Sequence, residues 1–111
     1  MSSRMAMLAK RIKENPDDSL SKFTLALEFI KAGDISKAQA LFEHLQHHDP
    51  EYVGTYYHLG SVYEQVGNLQ LAQATYKKGI EIAKQQHNTH TASELTAALQ
   101  VLQLHLEDEH D

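Results

Sequence analysis

The sequence predicts an all-α chain built from antiparallel helix hairpins, and three observations support that expectation. Apolar residues recur at helical spacing, and no segment of useful length alternates with a strand's period of two. The chain resembles itself at an offset of 34 residues. Breakers punctuate it in matching pairs, Gly33-Asp34 with Gly67-Asn68 and Pro16 with Pro50.

The offset is specific. Shifted by 34 residues, Leu25 falls on Leu59, Ala26 on Gly60, Phe29 on Tyr63 and Gly33 on Gly67. Asp34 falls on Asn68, Ala38 on Ala72 and Phe42 on Tyr76. In the second copy Tyr56, Leu59, Gly60 and Tyr63 share one helical face. Gly60 and Ala72 are small where two helices must approach closely, Gly67 can end a helix in the left-handed conformation, and Asn68 can cap the next. The run Tyr56-x-x-Leu59-Gly60-x-x-Tyr63, then Gly67-Asn68, then Ala72-x-x-x-Tyr76 resembles the tetratricopeptide repeat. The resemblance covers residues 17–84 and implies a right-handed α-solenoid, with one repeat at 17–50 and a second at 51–84.

The elements follow in order. A helix over 3–14 places Met5, Leu8 and Ile12 on one side and Arg4, Lys10, Arg11 and Lys13 largely on the other. At the same offset it aligns with 37–48, so it reads as the second helix of a half-repeat. Asn15-Pro16-Asp17 restarts the chain as a cap followed by proline in a first helical turn, and Asp49-Pro50-Glu51 repeats the device. Helices are expected at 19–32, 35–48, 52–66 and 69–86. The last of these runs on because Lys84 stands where the family pattern has proline. Asn88 to Thr91 is expected to turn the chain, with Thr91-Ala92-Ser93-Glu94 as a capping box. A closing helix over 89–106 has Ala92, Leu95, Leu99, Leu102 and Leu106 as its stripe and lacks the repeat pattern, as suits a segment covering the last apolar face of an open stack. The acidic end at 107–111, with Glu107, Asp108, Glu109 and Asp111, is expected to fray.

Composition narrows the function. A chain of 111 residues suits a single domain over 1–111. No apolar run approaches the roughly 20 residues of a membrane span, and Lys10, Arg11 and Lys13 interrupt any secretory-type apolar core near the start. The absence of cysteine excludes disulfides and thiolate metal sites and fits a cytoplasmic location. A net charge of −5 argues against a general nucleic-acid partner, and no membrane partner is expected. No nucleophile stands with a base and no carboxylate pair suggests a cleft. Gly54, Gly60 and Gly67 follow helix packing instead of a phosphate loop, and Asp17-Asp18 suits a helix start. No enzyme activity and no cofactor are expected.

The resemblance implies that the first helix of each hairpin lines a concave groove for a partner's peptide or helix. Leu25, Ala26 and Phe29 face the core, which leaves Phe23, Leu27, Ile30 and Lys31 for the groove in the first repeat. The matching positions of the second repeat are Tyr57, Ser61, Glu64 and Gln65. Phe23, Leu27 and Ile30 would supply apolar contact, Tyr57 an aromatic anchor, and Lys31, Ser61, Glu64 and Gln65 polar selection. The expected function is a non-catalytic adapter or scaffold with a protein or peptide partner. A covering first helix or a second copy would equally account for Phe23 and Leu27. One subclass of the family grips a chaperone's terminal carboxylate with lysine, asparagine and arginine; here those places hold Phe23, Leu27 and His58, and no arginine follows Arg11. That clamp is absent.

Two further readings compete. Val101 and Leu104 lie outside the closing helix's main stripe, so the terminal helices could serve self-assembly as a homodimer. His44 and His48, four apart with His47 and Asp49 beside them, have a spacing that suits a shared metal ion. The His-Glu-x-x-His pattern is missing, and histidines at a helix's C-terminal end already suit its partial charge, so no metal site is expected. Tyr56, Tyr63 and Tyr76 are expected in the core, Tyr57 and part of Tyr52 at the surface, and His87 and His90 in solvent beside a turn.

Overall fold

The computed structural model describes residues 2–110, with side chains to Asp108. Six helices follow one another: α1 (Ser3–Glu14), α2 (Ser19–Lys31), α3 (Ile35–His48), α4 (Gly54–Gln65), α5 (Leu69–Gln85) and α6 (Thr89–His110). No strand occurs among the described residues. The chain divides into two compact units, Met1–Tyr52 with α1 to α3 and Val53–Asp111 with α4 to α6.

Short polar side chains set where helices begin. Ser2 Oγ accepts from the Met5 amide at 3.1 Å, Asp34 Oδ1 from Lys37 at 3.2 Å and Asn68 Oδ1 from Leu71 at 3.3 Å. Asp18 caps α2, its two carboxylate oxygens accepting from the Ser21 amide at 3.0 Å and the Ser21 hydroxyl at 2.6 Å. Those bonds hold the Asp18 carboxyl below its ordinary pKa, the side-chain bond contributing most. Pro16 thus lies in a turn before the cap, not in the first helical turn expected from Asn15-Pro16-Asp17. Asn15 instead closes α1, its amide donating to Arg11 O at 2.9 Å.

One other helix start and one other cap differ from the expected ones. Helix α4 starts at Gly54 because the Tyr52 amide still closes a turn onto Asp49 O, and Val53 offers no side-chain cap. Helix α6 starts at Thr89 as expected, but its cap is Asn88, Oδ1 accepting from Thr91 at 3.1 Å. The expected capping box at Thr91 does not form; Glu94 pairs with His90 one turn back. Helix α6 also continues to His110, so residues 107–110 are helical where fraying was expected, and Asp111 lies outside the described residues.

In the first unit α1 lies along α2. Met5 and Leu8 are buried with Leu25, and Ala9, Ile12, Phe29 and Leu41 pack around them. Arg4 Nε reaches Glu28 Oε1 at 2.9 Å. Between α2 and α3 the core closes on Ala26, Ala38, Phe42 and Leu45, all without solvent exposure. Burying a leucine- or phenylalanine-sized side chain stabilises by about 1.5–3 kcal/mol, so these few residues set the helix order.

In the second unit Tyr56, Leu59, Val62 and Tyr76 are fully buried, and Tyr63 nearly so. Gly60 lies under the Tyr76 ring, which occupies the space a Cβ would need. Helix α6 packs mainly on α5 and touches α4, burying Ala92, Leu95 and Leu102. One cost is visible: Thr55 Oγ1 is buried without a hydrogen-bond partner among the described residues, a loss of about 1–3 kcal/mol.

Candidate partner-binding surface

Helix α2 is apolar on nearly every side. Leu25 and Ala26 are buried while Phe29 is half-buried against α1, which uses the core-facing side. Phe23 is also half-buried, its ring edge-on to Phe42 at 6.0 Å and tilted against Tyr52 at 5.4 Å. Phe23 therefore joins the two sides of the helix. Leu27 and Ile30 are half-buried, and Lys31 is exposed with Nζ 3.8 Å from Glu28 Oε1.

The same face holds a residue that hydrophobic spacing and the repeat pattern did not single out. Leu20 is 64% exposed, three residues before Phe23 and seven before Leu27, so the three share one stripe. Its signal in the sequence is an apolar residue in the first turn of a helix. No repeat position calls for it, Gly54 standing at the matching place in the second unit.

In the second unit Tyr57 is 40% exposed and edge-on to the His58 ring at 5.5 Å. Ser61 is half-buried and Gln65 exposed. Glu64 is engaged within its own unit, accepting a 2.5 Å hydrogen bond from the Tyr76 hydroxyl that ties α4 to α5. Burial first, and that bond second, push the Tyr76 pKa well above its ordinary value. His58 is held below its ordinary pKa by burial, against an opposing pull from Glu94.

The histidine pair on α3 takes a different form from a metal site. The His44 and His48 rings stack at 3.9 Å and 25°, and His48 Nδ1 donates to the His44 carbonyl at 3.0 Å. His44 Nε2 receives Lys22 Nζ at 3.1 Å, and Lys22 is only 5% exposed. Two stacked rings with these nitrogens already engaged do not converge on one ion, and no group of three metal-ligating side chains occurs among the described residues. His87 and His90 are exposed as expected, and His87 also turns the chain in the left-handed conformation, at φ 57°.

Comparison with known proteins places this arrangement. The tetratricopeptide repeat family profile matches residues 53–86. A tetratricopeptide repeat domain protein from Salinibacter ruber is 42% identical, its solution structure covering 79% of this chain and 89% of its own at a TM-score of 0.76. The chain belongs to the tetratricopeptide repeat family, whose members generally serve as non-catalytic protein-interaction modules. Its fold is the all-α helical-repeat class expected from the sequence. Two more distant structures share that fold. PcrH, solved in complex with the chaperone binding region of PopD, is 15% identical over 91% of this chain and 77% of its own, with a TM-score of 0.84. The Yersinia enterocolitica type III secretion translocator chaperone SycD is 14% identical over 93% and 72%, with a TM-score of 0.84. No curated protein sequence matches the chain. No helix among the described residues is long and apolar enough to cross a membrane.

Proposed function

We propose that the chain is a non-catalytic adapter for a peptide or helical segment of a partner protein, with the outward face of α2 as the contact surface of the first unit and that of α4 as the contact surface of the second. One observation supports this above others. Helix α2 leaves Leu20 largely in solvent and Leu27 and Ile30 half-exposed, although Leu25 and Ala26 already meet its packing needs. Apolar surface of that kind on a helix is an invitation to a partner. The stripe would take apolar anchors, with Tyr57 as an aromatic contact and Lys31, Ser61 and Gln65 selecting among polar neighbours. Glu64, bound to Tyr76, would contribute through its second carboxylate oxygen. The complex of PcrH with a segment of PopD shows this fold, in another protein, engaged with a partner's binding region.

Peptides selected from a displayed library against the wild-type chain test the reading. A Leu27→Asp, Tyr57→Ala double variant is expected to keep its helicity and to bind the selected peptides at least about tenfold more weakly, since two anchor contacts are lost. Equal binding by both proteins would remove the α2 and α4 faces from consideration.

A further inference from the structure

The first unit has a second apolar surface, separate from the α2 stripe. Because α1 leans on α2 and scarcely touches α3, a groove of about 420 Å³ stays open between them. Ala9 and Ile12 form one wall, Ala40 and Leu41 the other, and Leu25 and Phe29 the floor. Lys37 and His44 also line it. Lysines stand at its edge: Lys37 lines the groove, its Nζ also 3.6 Å from Asp34 Oδ2, and Lys13 follows Ile12 one position further round α1. The result is an apolar slot with a cationic border.

Helix α6 has the complementary form. Its inner stripe is used up, with Ala92, Leu95 and Leu102 buried on its own unit. A second stripe remains outside: Ala97 is exposed, Val101 is 55% and Leu104 60% exposed, and the spacing of four and three keeps them on one side. Asp108 follows four residues after Leu104 on the same side, with Glu107 next to it, and both are exposed. An apolar ridge running into an anionic end matches an apolar slot with a cationic border in chemistry and in sign.

We propose that the groove between α1 and α3 receives helix α6 of a second copy of the chain. Val101 and Leu104 seat against Ile12, Ala40 and Leu41, and Asp108 and Glu107 meet Lys13 and Lys37. Helix α6 stays folded on its own unit throughout, because the ridge and the buried stripe are different faces. The contact is heterologous, a ridge on one copy and a slot on the other, so it produces either a reciprocal pair or a chain of copies. It leaves Leu20, Leu27 and Tyr57 open and does not depend on the peptide-binding reading.

The mass of the full chain, followed by light scattering and sedimentation equilibrium up to about 1 mM, tests the proposal. The wild type is expected to exceed the single-chain mass as concentration rises, and to lose association in high salt. Leu104→Glu and Ala40→Glu are each expected to weaken association about tenfold or more. Both positions are exposed, and thermal melts verify that the variants fold; if either melts early, the charge swap Asp108→Lys with Lys37→Glu replaces it, each change weakening association alone and the pair restoring it. The decisive sample is an equimolar mixture of Leu104→Glu and Ala40→Glu. One copy then retains an intact slot and the other an intact ridge, so the mixture is expected to associate better than either variant alone. A single-chain mass at every concentration, association that survives Ala40→Glu, or a mixture no better than its components would each overturn it.

Discussion

At the scale of single residues, the most consequential position is one with no side chain. A Cβ on Gly79 would lie 2.5 Å from Tyr56 Cβ and 3.0 Å from Leu95 Cδ1. The first of these atoms is fixed by the backbone of α4, so it cannot swing aside. At the 34-residue offset Gly79 falls on Leu45, whose side chain is fully buried. At Gly79 the neighbouring space is taken by Leu95 of α6 and by Tyr56. Replacing Gly79 by alanine therefore sets about 1 kcal/mol of gained helix propensity against overpacking that commonly costs about 1–3 kcal/mol or more. With immobile neighbours the second effect is larger. Gly79→Ala is expected to lower the second unit's stability by about 1–2 kcal/mol in denaturant titration; an unchanged or raised midpoint would mean that Tyr56 and Leu95 can yield. Gly60, by contrast, was legible from the repeat pattern as a small residue where two helices approach, and what lies against it is the Tyr76 ring of α5.

At the scale of elements, one device ends three helices. After α2 the Asp34 amide reaches back to Phe29 O at 2.8 Å, after α4 Asn68 reaches Tyr63 O at 2.8 Å, and after α5 Asn88 reaches Ala83 O at 2.9 Å. Each time a residue with positive φ precedes the donor: Gly33 at 79°, Gly67 at 81° and His87 at 57°. The two glycines made the first two turns readable in the sequence. The third turn hides its cap, Asn88, three residues before the expected one, because a histidine conceals the same conformation and the Thr91-Ala92-Ser93-Glu94 run offers a plausible rival. The left-handed conformation costs a residue with a Cβ roughly 1–2 kcal/mol, partly offset by the greater freedom glycine has when unfolded. His87→Gly is thus expected to stabilise the α5–α6 hairpin by about 0.5–1 kcal/mol, read as a higher thermal midpoint. The later start of α4 traces to Pro50, whose turn falls before the helix proper, and Pro16 likewise lies in a turn before α2, which starts at Ser19 as expected. Proline announces a break reliably and its register poorly.

At the scale of the whole molecule, the repeat made the helix order readable, while the surface was readable only in part. Phe23 shows the limit: its helical position points it outward, yet Tyr52, beyond the end of α3, folds back to pack on it. A contact of that kind depends on the path of a turn, which hydrophobic spacing does not encode. The Lys22–His44 contact was hidden for the same reason, since it joins two helices at side chains that belong to no motif. It has a consequence for the molecule's response to acid. His44, largely exposed, is held below the ordinary histidine pKa by partial desolvation first, then by Lys22, His48 and His47, and the more buried His58 by burial against Glu94. In the unfolded chain both histidines protonate near pH 6.5; in the folded chain they resist until lower pH. Between those values the unfolded state binds more protons, so stability is fully present above about pH 7 and is lost as pH falls through that window. Asp18, whose pKa is lowered, adds a separate loss only below the ordinary carboxylate range. Because His44 belongs to the first unit and His58 to the second, the two effects can be assigned. Denaturant titrations at about pH 7.5 and pH 5.5 are expected to show the wild type weakened by acid, with His44→Gln and His58→Gln each reducing that loss and the double variant reducing it most. If the two units unfold in separate transitions, each substitution is expected to act on its own. Identical acid losses in all four proteins would mean that neither histidine is kept neutral by the fold, and that the close approach of Lys22 does not alter the protonation of His44.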